Sequence, residues 1–267
     1  MYWMCRITLY IFLLLLTSCA QKIPIDGGPK DTEAPFISIS TPSSLETNFI
    51  GTELNFEFNE FIEATTLPSK LIFTPSLEEK PKVIVGSKKI KIVVENQLEE
   101  NTTYIINFSD NIKDITERNV ISPDPFVFST GDHIDSAKLS GSVVNALTLE
   151  PIEKIWVLAY KESIAKRDSL PWKVKPTYLI QTSSSGNFTF KNMSAGKYLL
   201  YALQEEDQNF TYNEKVELIA FDTLLQNTND TLQNITLKLF SEELPTLWSV
   251  KDKQNTGYGK VSLFFPD

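Results

Sequence analysis

The chain has 267 residues, of which 42% are hydrophobic and 22% charged, a composition typical of a folded protein of about two domains. Its 34 acidic and 25 basic residues give a formal net charge of −9. This argues against a nucleic-acid binder, which needs a basic surface to displace counterions from phosphates. Two cysteines exclude a disulfide framework, and the single histidine, His133, argues against histidine-based catalysis and His-rich metal sites.

The first residues have the organisation of an export signal. A short segment carrying Arg6 precedes an apolar run from Ile7 to Leu16, and small residues then lead to Cys19. Ten helical residues cover about 15 Å, half of a bilayer's hydrocarbon core, so the run predicts a cleaved signal peptide and not a membrane span. A buried helix, or a signal cleaved at another small residue, is the alternative interpretation.

The end of this segment, Leu16-Thr17-Ser18-Cys19, resembles the bacterial lipobox. The resemblance implies cleavage before Cys19, a diacylglycerol thioether on its sulfur and acylation of the new N-terminus. A thiol is needed because the thiolate is the nucleophile that takes the lipid, and two or three acyl chains give stable membrane residence. We therefore assign residues 1–18 to the signal peptide and residues 19–35 to the lipidated cysteine and a flexible tether rich in Pro and Gly.

From Phe36 the pattern changes to short strands separated by turn residues. Apolar and polar residues alternate strictly from Leu54 to Phe58, which places Leu54, Phe56 and Phe58 on one face. Seven such runs predict an antiparallel β-sandwich over residues 36–131, with one helical turn expected between Asp110 and Val120. The runs begin at Phe36, Leu54, Leu71, Val83, Ile90, Tyr104 and Phe126.

Several phrases of this region are similar to a known domain. They read GGPKDTEAPFISISTPSSLETNF, LNFEFNEFIE, LIFTPSLEEKP, ENTTYIINFSDNIKDITERN and FVFSTGDHIDS. Together they resemble the bacterial Ig-like (SbsA-type) domain, in the form found at the N-terminus of Bacteroidota lipoproteins, from about Gly27 to Ser136. The resemblance implies a non-enzymatic sandwich module in a cell-envelope protein, and it supplies no catalytic residues.

A second series of strands follows the segment from Gly131 to Lys138, where we place the domain boundary. Seven further runs predict a second sandwich over residues 138–240, so the expected fold class is all-β, with two tandem antiparallel sandwiches. These runs begin at Lys138, Lys154, Tyr178, Phe188, Lys197, Val216 and Ile235.

The second domain also carries a resemblance, in the phrases LSGSVVNALTLEPIEKIWVLAY and SSGNFTFKNMSAGKYLLYAL. They are similar to the carboxypeptidase-regulatory-like, prealbumin-like β-sandwich, although Ser183 or Ser184 stands where that family usually has Asp. The family implies a structural or binding module without peptidase chemistry. Gly186 and Gly196 are expected at hairpin turns that need a positive φ.

One acidic segment offers weak candidate metal ligands. Oxygen-bearing side chains recur at Glu205, Asp207, Asn209 and then Asn213 or Glu214. A hard cation such as Ca²⁺ is bound by six to eight oxygens from a tight loop, but the segment lacks the Asp-rich run and glycine of an EF-hand. A solvated hairpin tip is the alternative, and the sequence predicts no cofactor other than this Ca²⁺ candidate.

Aromatic side chains offer a second candidate site, because sugars stack on aromatic faces. Tyr160, Tyr178, Tyr198 and Tyr201 lie in predicted strands, so filling the core is the alternative role for alternate members. Trp172 is the glycan-stacking candidate, because it follows a proline in a polar loop. For His133, between Asp132 and Asp135, a polar inter-domain linker is favoured over catalysis.

The last predicted segment is the tail, Thr246 to Asp267. Val261, Leu263 and Phe265 alternate like a strand, yet the second sandwich already has seven strands. A lone strand is not stable by itself. We therefore expect an outlying hairpin or low-order extension outside both cores, which would begin a third domain if the protein continues.

These features together predict a lipid-anchored cell-envelope protein that acts in structural display or binding and is not an enzyme. Its expected partners are a membrane, through the lipid on Cys19, and a protein or glycan, but no nucleic acid. The expected location is the outer membrane, with the periplasmic or surface face left open. The alternatives are a glycan- or polysaccharide-binding accessory lipoprotein and the non-catalytic N-terminal part of a longer enzyme.

Overall fold

The computed structural model describes residues 28, 30–121, 124–163, 170–205, 207, 209–213, 217–230 and 235–240, together with the backbone of two strands at 252–257 and 260–264. The chain divides into residues 1–33 and a compact unit, Ala34–Asp267, that contains the strands. No helix among the described residues is long and apolar enough to cross a membrane. Cys19 and the predicted signal peptide lie outside the described residues.

The first sandwich is built from antiparallel sheets that contain all seven strands expected there. One sheet has the order β1 (Ile37–Thr41), β2 (Glu53–Phe58), β6 (Lys89–Val93), β5 (Lys82–Val85). The other has the order β4 (Ile72–Thr74), β7 (Thr103–Asn107), β9 (Phe126–Ser129). A short pair, β3 (Ile62–Glu63) and β8 (Lys113–Asp114), and a one-turn helix, α1 (Leu67–Lys70), complete it.

One hydrophobic core, the first core, fills this sandwich. As the alternation predicts, Leu54, Phe56 and Phe58 are buried, because successive side chains of a strand point to opposite faces. The Phe56 ring makes edge contacts with Phe108 and Phe126 at centroid distances of 5.3 and 5.0 Å. Such contacts add to the free energy of burying the rings.

Tyr104 fixes the chain entry into β7. Its hydroxyl accepts a hydrogen bond from the backbone N–H of Glu99 at 2.9 Å, and the ring is buried. This is the tyrosine corner that recurs in Ig-like sandwiches, where the hydroxyl bonds to backbone a few residues upstream. Burial raises the pKa of Tyr104 to about 12.

Asp114 organises the segment that the sequence assigns to a helical turn. Its buried carboxylate accepts hydrogen bonds from the backbone N–H groups of Glu117, Arg118 and Asn119. Burial alone would raise the pKa of Asp114, but these backbone donors hold it below its usual value. The predicted helical turn is therefore wrong: the segment is β8 followed by a turn that Asp114 anchors, and the single described helical turn is α1.

The second sandwich also contains all seven expected strands. One sheet has the order β13 (Asn187–Met193), β10 (Ala137–Asn145), β17 (Ile235–Leu239). The other has the order β12 (Tyr178–Gln181), β11 (Trp156–Lys161), β14 (Lys197–Leu203), β15 (Ile219–Phe221), and β16 (Gln226–Asn227) pairs with β14. The described pairs of this sandwich are antiparallel, as expected, except that β10 and β17 run parallel.

Two glycines are required by the geometry of this sandwich. A Cβ on Gly141 would stand 2.5 Å from the Ile235 carbonyl oxygen and 2.7 Å from the Phe188 ring, so only glycine fits beside β17. Gly186 has a φ of +73° in the turn before β13, as expected. Gly196 also has a positive φ, of +158°.

The five-stranded sheet of the second sandwich is buried on both faces. Val157 and Ala159 point into the inner core, between the sheets, whereas Leu158 and Tyr160 point into an outer core on the opposite face. Loops of the second domain cover the outer core, together with Ile72 from β4 of the first sandwich. The buried members of the outer core are Ile72, Leu158, Tyr160, Leu170, Leu179, Leu199, Leu203, Tyr212 and Ile219.

The tail forms a hairpin of the kind expected from its sequence pattern. Strands β18 (Asp252–Gly257) and β19 (Lys260–Phe264) pair with each other in antiparallel register. The burial of Val261, Leu263 and Phe265 lies outside what the structure describes, so the expectation that their apolar face is poorly covered stays a prediction.

Candidate binding cleft between the two sandwiches

A cleft of about 510 Å³ lies where the two sandwiches meet. The first sandwich lines it with α1, the start of β4 and the loop from Ser76 to Pro81. The second sandwich contributes side chains from β11 and β12 and from the loop after β14. The lining residues that bear on its chemistry are Lys70, Glu79, Lys80, Asp110, Trp156, Lys175, Gln181, Glu205, Asp207, Asn209 and Phe210.

Two contacts connect the walls of this cleft. The Ser76 hydroxyl donates a hydrogen bond to the Pro176 carbonyl oxygen at 2.7 Å. Ile72 of β4 is buried in the outer core of the second sandwich. The cleft is therefore bounded by a polar and an apolar contact between the domains.

An aromatic pair forms part of the second-sandwich wall. Trp156 begins β11 and is half-buried, and its ring meets Phe210 edge-to-face at a centroid distance of 5.1 Å. Both residues line the cleft. Beside them, Gln181 and Asn209 supply amide groups, so the wall combines an apolar surface with hydrogen-bonding groups.

Three carboxylates converge at one side of the cleft. Ligand atoms of Glu205, Asp207 and Glu217 lie within 4.8 Å of one another. Glu205 accepts backbone hydrogen bonds from Asn209 at 3.1 Å and Phe210 at 3.0 Å, which fold the loop after β14 around its carboxylate. Glu217 is only 4% exposed and accepts a hydrogen bond from a backbone N–H across the loop.

Because these carboxylates lie close together, the pKa values of Glu205 and Asp207 shift in opposite directions. Burial, then the hydrogen bond with Asp207 and then the charge of Glu217 raise the pKa of Glu205 to about 7. The hydrogen bond from Glu205 lowers the pKa of Asp207. Near neutral pH the cluster can therefore hold a proton on Glu205, or replace that proton with a hard divalent cation that oxygen ligands bind.

The structure brings together only part of the predicted Ca²⁺ set. Glu205 and Asp207 are adjacent, as the spacing predicts. Asn209 instead uses its amide to donate to Asp207 at 2.7 Å, and its side-chain oxygen accepts from the backbone N–H of Thr211 at 2.6 Å. Asn213 is exposed, and its backbone N–H donates to Glu217 at 2.8 Å.

Sequence reasoning missed Glu217. One signal was present: this carboxylate directly precedes the apolar run Leu218-Ile219-Ala220, where a charged side chain is unexpected unless it is paired or protonated. The contribution of the first sandwich to the cleft carries no comparable signal, because it depends on how the domains meet.

The predicted aromatic platform is wrong for three of its members. Tyr160, Tyr178 and Tyr198 are buried at 1, 2 and 0% exposure and fill the cores of the second sandwich. Trp172 is 42% exposed, and its ring packs edge-to-face with Tyr212 at a centroid distance of 5.9 Å. It lies outside the cleft lining, and glycan stacking on Trp172 stays a prediction.

His133 occupies the linker between β9 and β10, as the sequence analysis favours. Its side chain is 70% exposed, and Nδ1 lies 2.6 Å from an Asp132 carboxylate oxygen, a hydrogen bond that raises the pKa of His133. The cleft lining of the described chain contains neither histidine nor cysteine, and its Ser76 hydroxyl donates to a carbonyl.

Comparison with known proteins identifies the class of the first domain. Residues 31–130 match the family model of the bacterial Ig-like domain. This range contains β1 to β9, so the Ig-like part of the resemblance is confirmed. No curated protein sequence matches the chain.

The solved structures to which the chain is similar are distant in sequence. The N-terminal part of the bacterial S-layer protein SbsC is 12% identical, with a TM-score of 0.28, and the match covers 78% of this chain and 44% of that one. An L,D-transpeptidase from Mycobacterium smegmatis is 12% identical, with a TM-score of 0.26 over 51% of this chain and 58% of that one. BcpA, the major pilin subunit of Bacillus cereus, is 12% identical, with a TM-score of 0.26 over 78% and 70%. The chain thus spans about half the length of the first two structures.

Proposed function

We propose that this protein is a lipid-anchored, non-catalytic component of a bacterial cell envelope that binds a ligand in the cleft between its two sandwiches. Three observations support the proposal. The segment ending in Cys19 has lipobox spacing, residues 31–130 match a bacterial Ig-like domain, and the cleft is lined by both domains. The outer membrane is the proposed location of the anchor.

The cleft is the observation that carries the binding role. Its volume of about 510 Å³ falls within the roughly 300–1,000 Å³ range of small-molecule sites. It pairs the Trp156–Phe210 wall with convergent polar groups, which is the usual construction of such sites. Because both sandwiches contribute to the lining, a bound ligand would also fix their relative orientation.

The charges of the lining support one kind of ligand. Cationic Lys70, Lys80 and Lys175 face the same space as anionic Asp110 and the Glu205–Asp207 pair. This mixture of charges favours a neutral or zwitterionic polar ligand over a strongly charged one. Aromatic faces beside amides are the groups that bind sugars, so the arrangement supports a glycan as the specific candidate.

A glycan array with the full mature protein tests the binding role. The Phe210→Ala variant removes half of the aromatic wall, and we expect it to lose at least tenfold in affinity for any glycan that the wild-type binds. The Leu147→Ser variant is the matched control, because Leu147 is 93% exposed on a turn outside the lining, and its binding should match the wild-type. Equal binding by both variants would show that the ligand binds outside the cleft.

The anchor has its own test. The Cys19→Ala variant should accumulate as an uncleaved precursor and should not partition into the detergent phase, because it lacks the thiol that takes the lipid. Normal lipid labelling of that variant would refute the lipobox interpretation.

A further inference from the structure

One end of the first sandwich exposes three large apolar side chains from three segments. Phe36 precedes β1 and is 57% exposed, Phe61 lies between β2 and β3 and is 56% exposed, and Ile115 follows β8 and is 51% exposed. We call these residues the tether-end patch, because the tether joins the sandwich at Phe36.

Hydrogen bonds join Phe61 to Ile115 and tie Phe36 to Asn59, two residues before Phe61. The Phe36 N–H donates to the Asn59 side-chain oxygen at 2.8 Å, and the Asn59 N–H donates to the Phe36 carbonyl at 3.2 Å. The Ile115 N–H donates to the Phe61 carbonyl at 3.3 Å. The patch is therefore a property of the folded strand ends, not of a single exposed loop.

A cation stands at the edge of the patch. The Lys88 ammonium lies 4.7 Å from the centroid of the Phe61 ring and donates to the Asn59 carbonyl at 3.3 Å. An aromatic ring beneath a lysine presents an apolar body with a charged tip, the construction of side chains that sit at membrane interfaces.

Two ion pairs flank the patch in a chain whose net charge is −9. Lys89 pairs with Glu57, and Arg118 pairs with Glu63. Glu60 accepts a hydrogen bond from the Asn59 amide. Lys88 is a cation beside the patch, and bilayer phosphate groups attract it.

The length of the tether indicates what covers the patch. Phe36 lies 17 positions after Cys19, so even a fully extended chain, at about 3.3–3.6 Å per residue, keeps Phe36 within about 60 Å of the anchor. The apolar surface at the tethered end is thus held at high effective concentration near the bilayer that carries the lipid.

We propose that Phe36, Phe61 and Ile115 insert into the interface of the membrane that holds the anchor, with Lys88 directed to lipid phosphates. This inference rests on the proposed lipidation of Cys19. The first domain then rests directly on the bilayer. This contact fixes the orientation of the cleft relative to the membrane, in addition to keeping the cleft near it.

Single-site fluorescence on the lipidated full-length protein tests this seating. In the mature chain the sulfur of Cys19 is blocked, so Phe61→Cys provides one thiol for an environment-sensitive NBD label. The matched control is Leu147→Cys, at a 93% exposed turn position of the second sandwich. Both proteins are reconstituted into vesicles of phosphatidylethanolamine and phosphatidylglycerol, with and without bromine on the acyl chains.

We expect NBD at position 61 to show a blue-shifted emission and several-fold stronger quenching by brominated chains than NBD at position 147. Adding Phe36→Ser and Ile115→Ser should abolish both effects while the circular dichroism spectrum is unchanged, since these side chains are exposed. Solvent-like emission at position 61 on vesicles that carry the protein would overturn the seating and leave the anchor intact. A blue shift without bromine quenching would overturn it in favour of a protein partner, whereas failure of the labelled proteins to float with vesicles would refute the anchor itself.

Discussion

The two sandwiches differ in how many faces their sheets bury. The first sandwich has a single core, and the outward side of β2 carries polar residues such as Glu53 and Asn55. The five-stranded sheet of the second sandwich has apolar residues on both faces, visible in the nearly continuous buried runs of β11 and β14. Such a sheet must be covered on its outer side. That cover comes from loops and from Ile72, and the candidate cleft lies beside it.

The largest expected effects compare the two kinds of core. Phe56→Ala in the first core should lower the free energy of unfolding by about 3–5 kcal/mol, and Leu158→Ala in the outer core by about 2–4 kcal/mol. Both side chains are 0% exposed. Urea denaturation measures the difference. A cost below about 1 kcal/mol for Leu158→Ala would show that the outer face is only loosely covered.

A substitution at Gly141 tests the close approach of β10 and β17. Gly141→Ala places a methyl group 2.5 Å from the Ile235 carbonyl oxygen, so backbone must move, and we expect a loss of about 2–3 kcal/mol. Gly28→Ala is the control, because nothing lies within 4 Å of its Cβ position, and its effect should stay within about 0.5 kcal/mol. Equal thermal midpoints for the two variants would contradict the observed packing of the parallel strand pair.

Ile72 tests whether the first sandwich supports the second. Ile72→Ala removes the apolar contact of β4 with the outer core, and we expect the amides of β11 and β14 to lose about 1–2 kcal/mol of protection in hydrogen exchange. Ile92→Ala is the control, because Ile92 is buried in the first core alone. If the two variants deprotect β11 equally, the domains unfold as one unit and the contact has no separate role.

The smallest effect concerns pH and the carboxylate cluster. The pKa of Glu205 is about 7 in the folded protein against an ordinary value of 4.5, so the native state binds a proton there that the unfolded chain releases. The resulting stabilisation is complete below about pH 4.5 and is lost as pH rises through 7. Glu205→Gln mimics the protonated form, and we expect it to be more stable than the wild-type by about 1–2 kcal/mol at pH 8 and equal to it at pH 4.5.

Chemical denaturation at several pH values measures this effect, with Glu153→Gln as the control because Glu153 is exposed on a turn. The prediction is contradicted if the free energy of unfolding of the wild-type does not fall between pH 5 and 8 relative to that of Glu205→Gln. Ionisation of Glu205 would then not destabilise the folded protein. Added Ca²⁺ that stabilises the wild-type at pH 8, but not the Glu205→Gln variant, would identify the cluster as a cation site.

Local patterns were enough to predict most strands. The alternation at Leu54, Phe56 and Phe58 and the turn at Gly186 depend on side-chain period and on backbone conformation, which short segments contain in full. The fold class and all fourteen expected strands of the two sandwiches therefore follow from pattern alone. The turn around Asp114 was missed because it depends on the burial of the Asp114 carboxylate among backbone N–H donors. The turn propensities of the local residues do not predict it.

The candidate cleft could be predicted only in part. Glu205 and Asp207 are two residues apart, so their proximity follows from chain connectivity, whereas Glu217 approaches them only when β15 pairs with β14. Likewise, the burial of Tyr160 follows from the cover over the outer face, which comes partly from a residue nearly ninety positions earlier in the chain.

By itself the sequence determined the all-β class, the positions of the strands, the acidic charge and the lipobox spacing, because each depends on residue type at short range. The tertiary structure alone decided which apolar faces are covered and which stay exposed. It placed Ile72 in the core of another domain and grouped three carboxylates into one cluster. It also left Phe36, Phe61 and Ile115 together on the surface. These outcomes depend on contacts between segments far apart in the chain, whose partners local patterning does not specify.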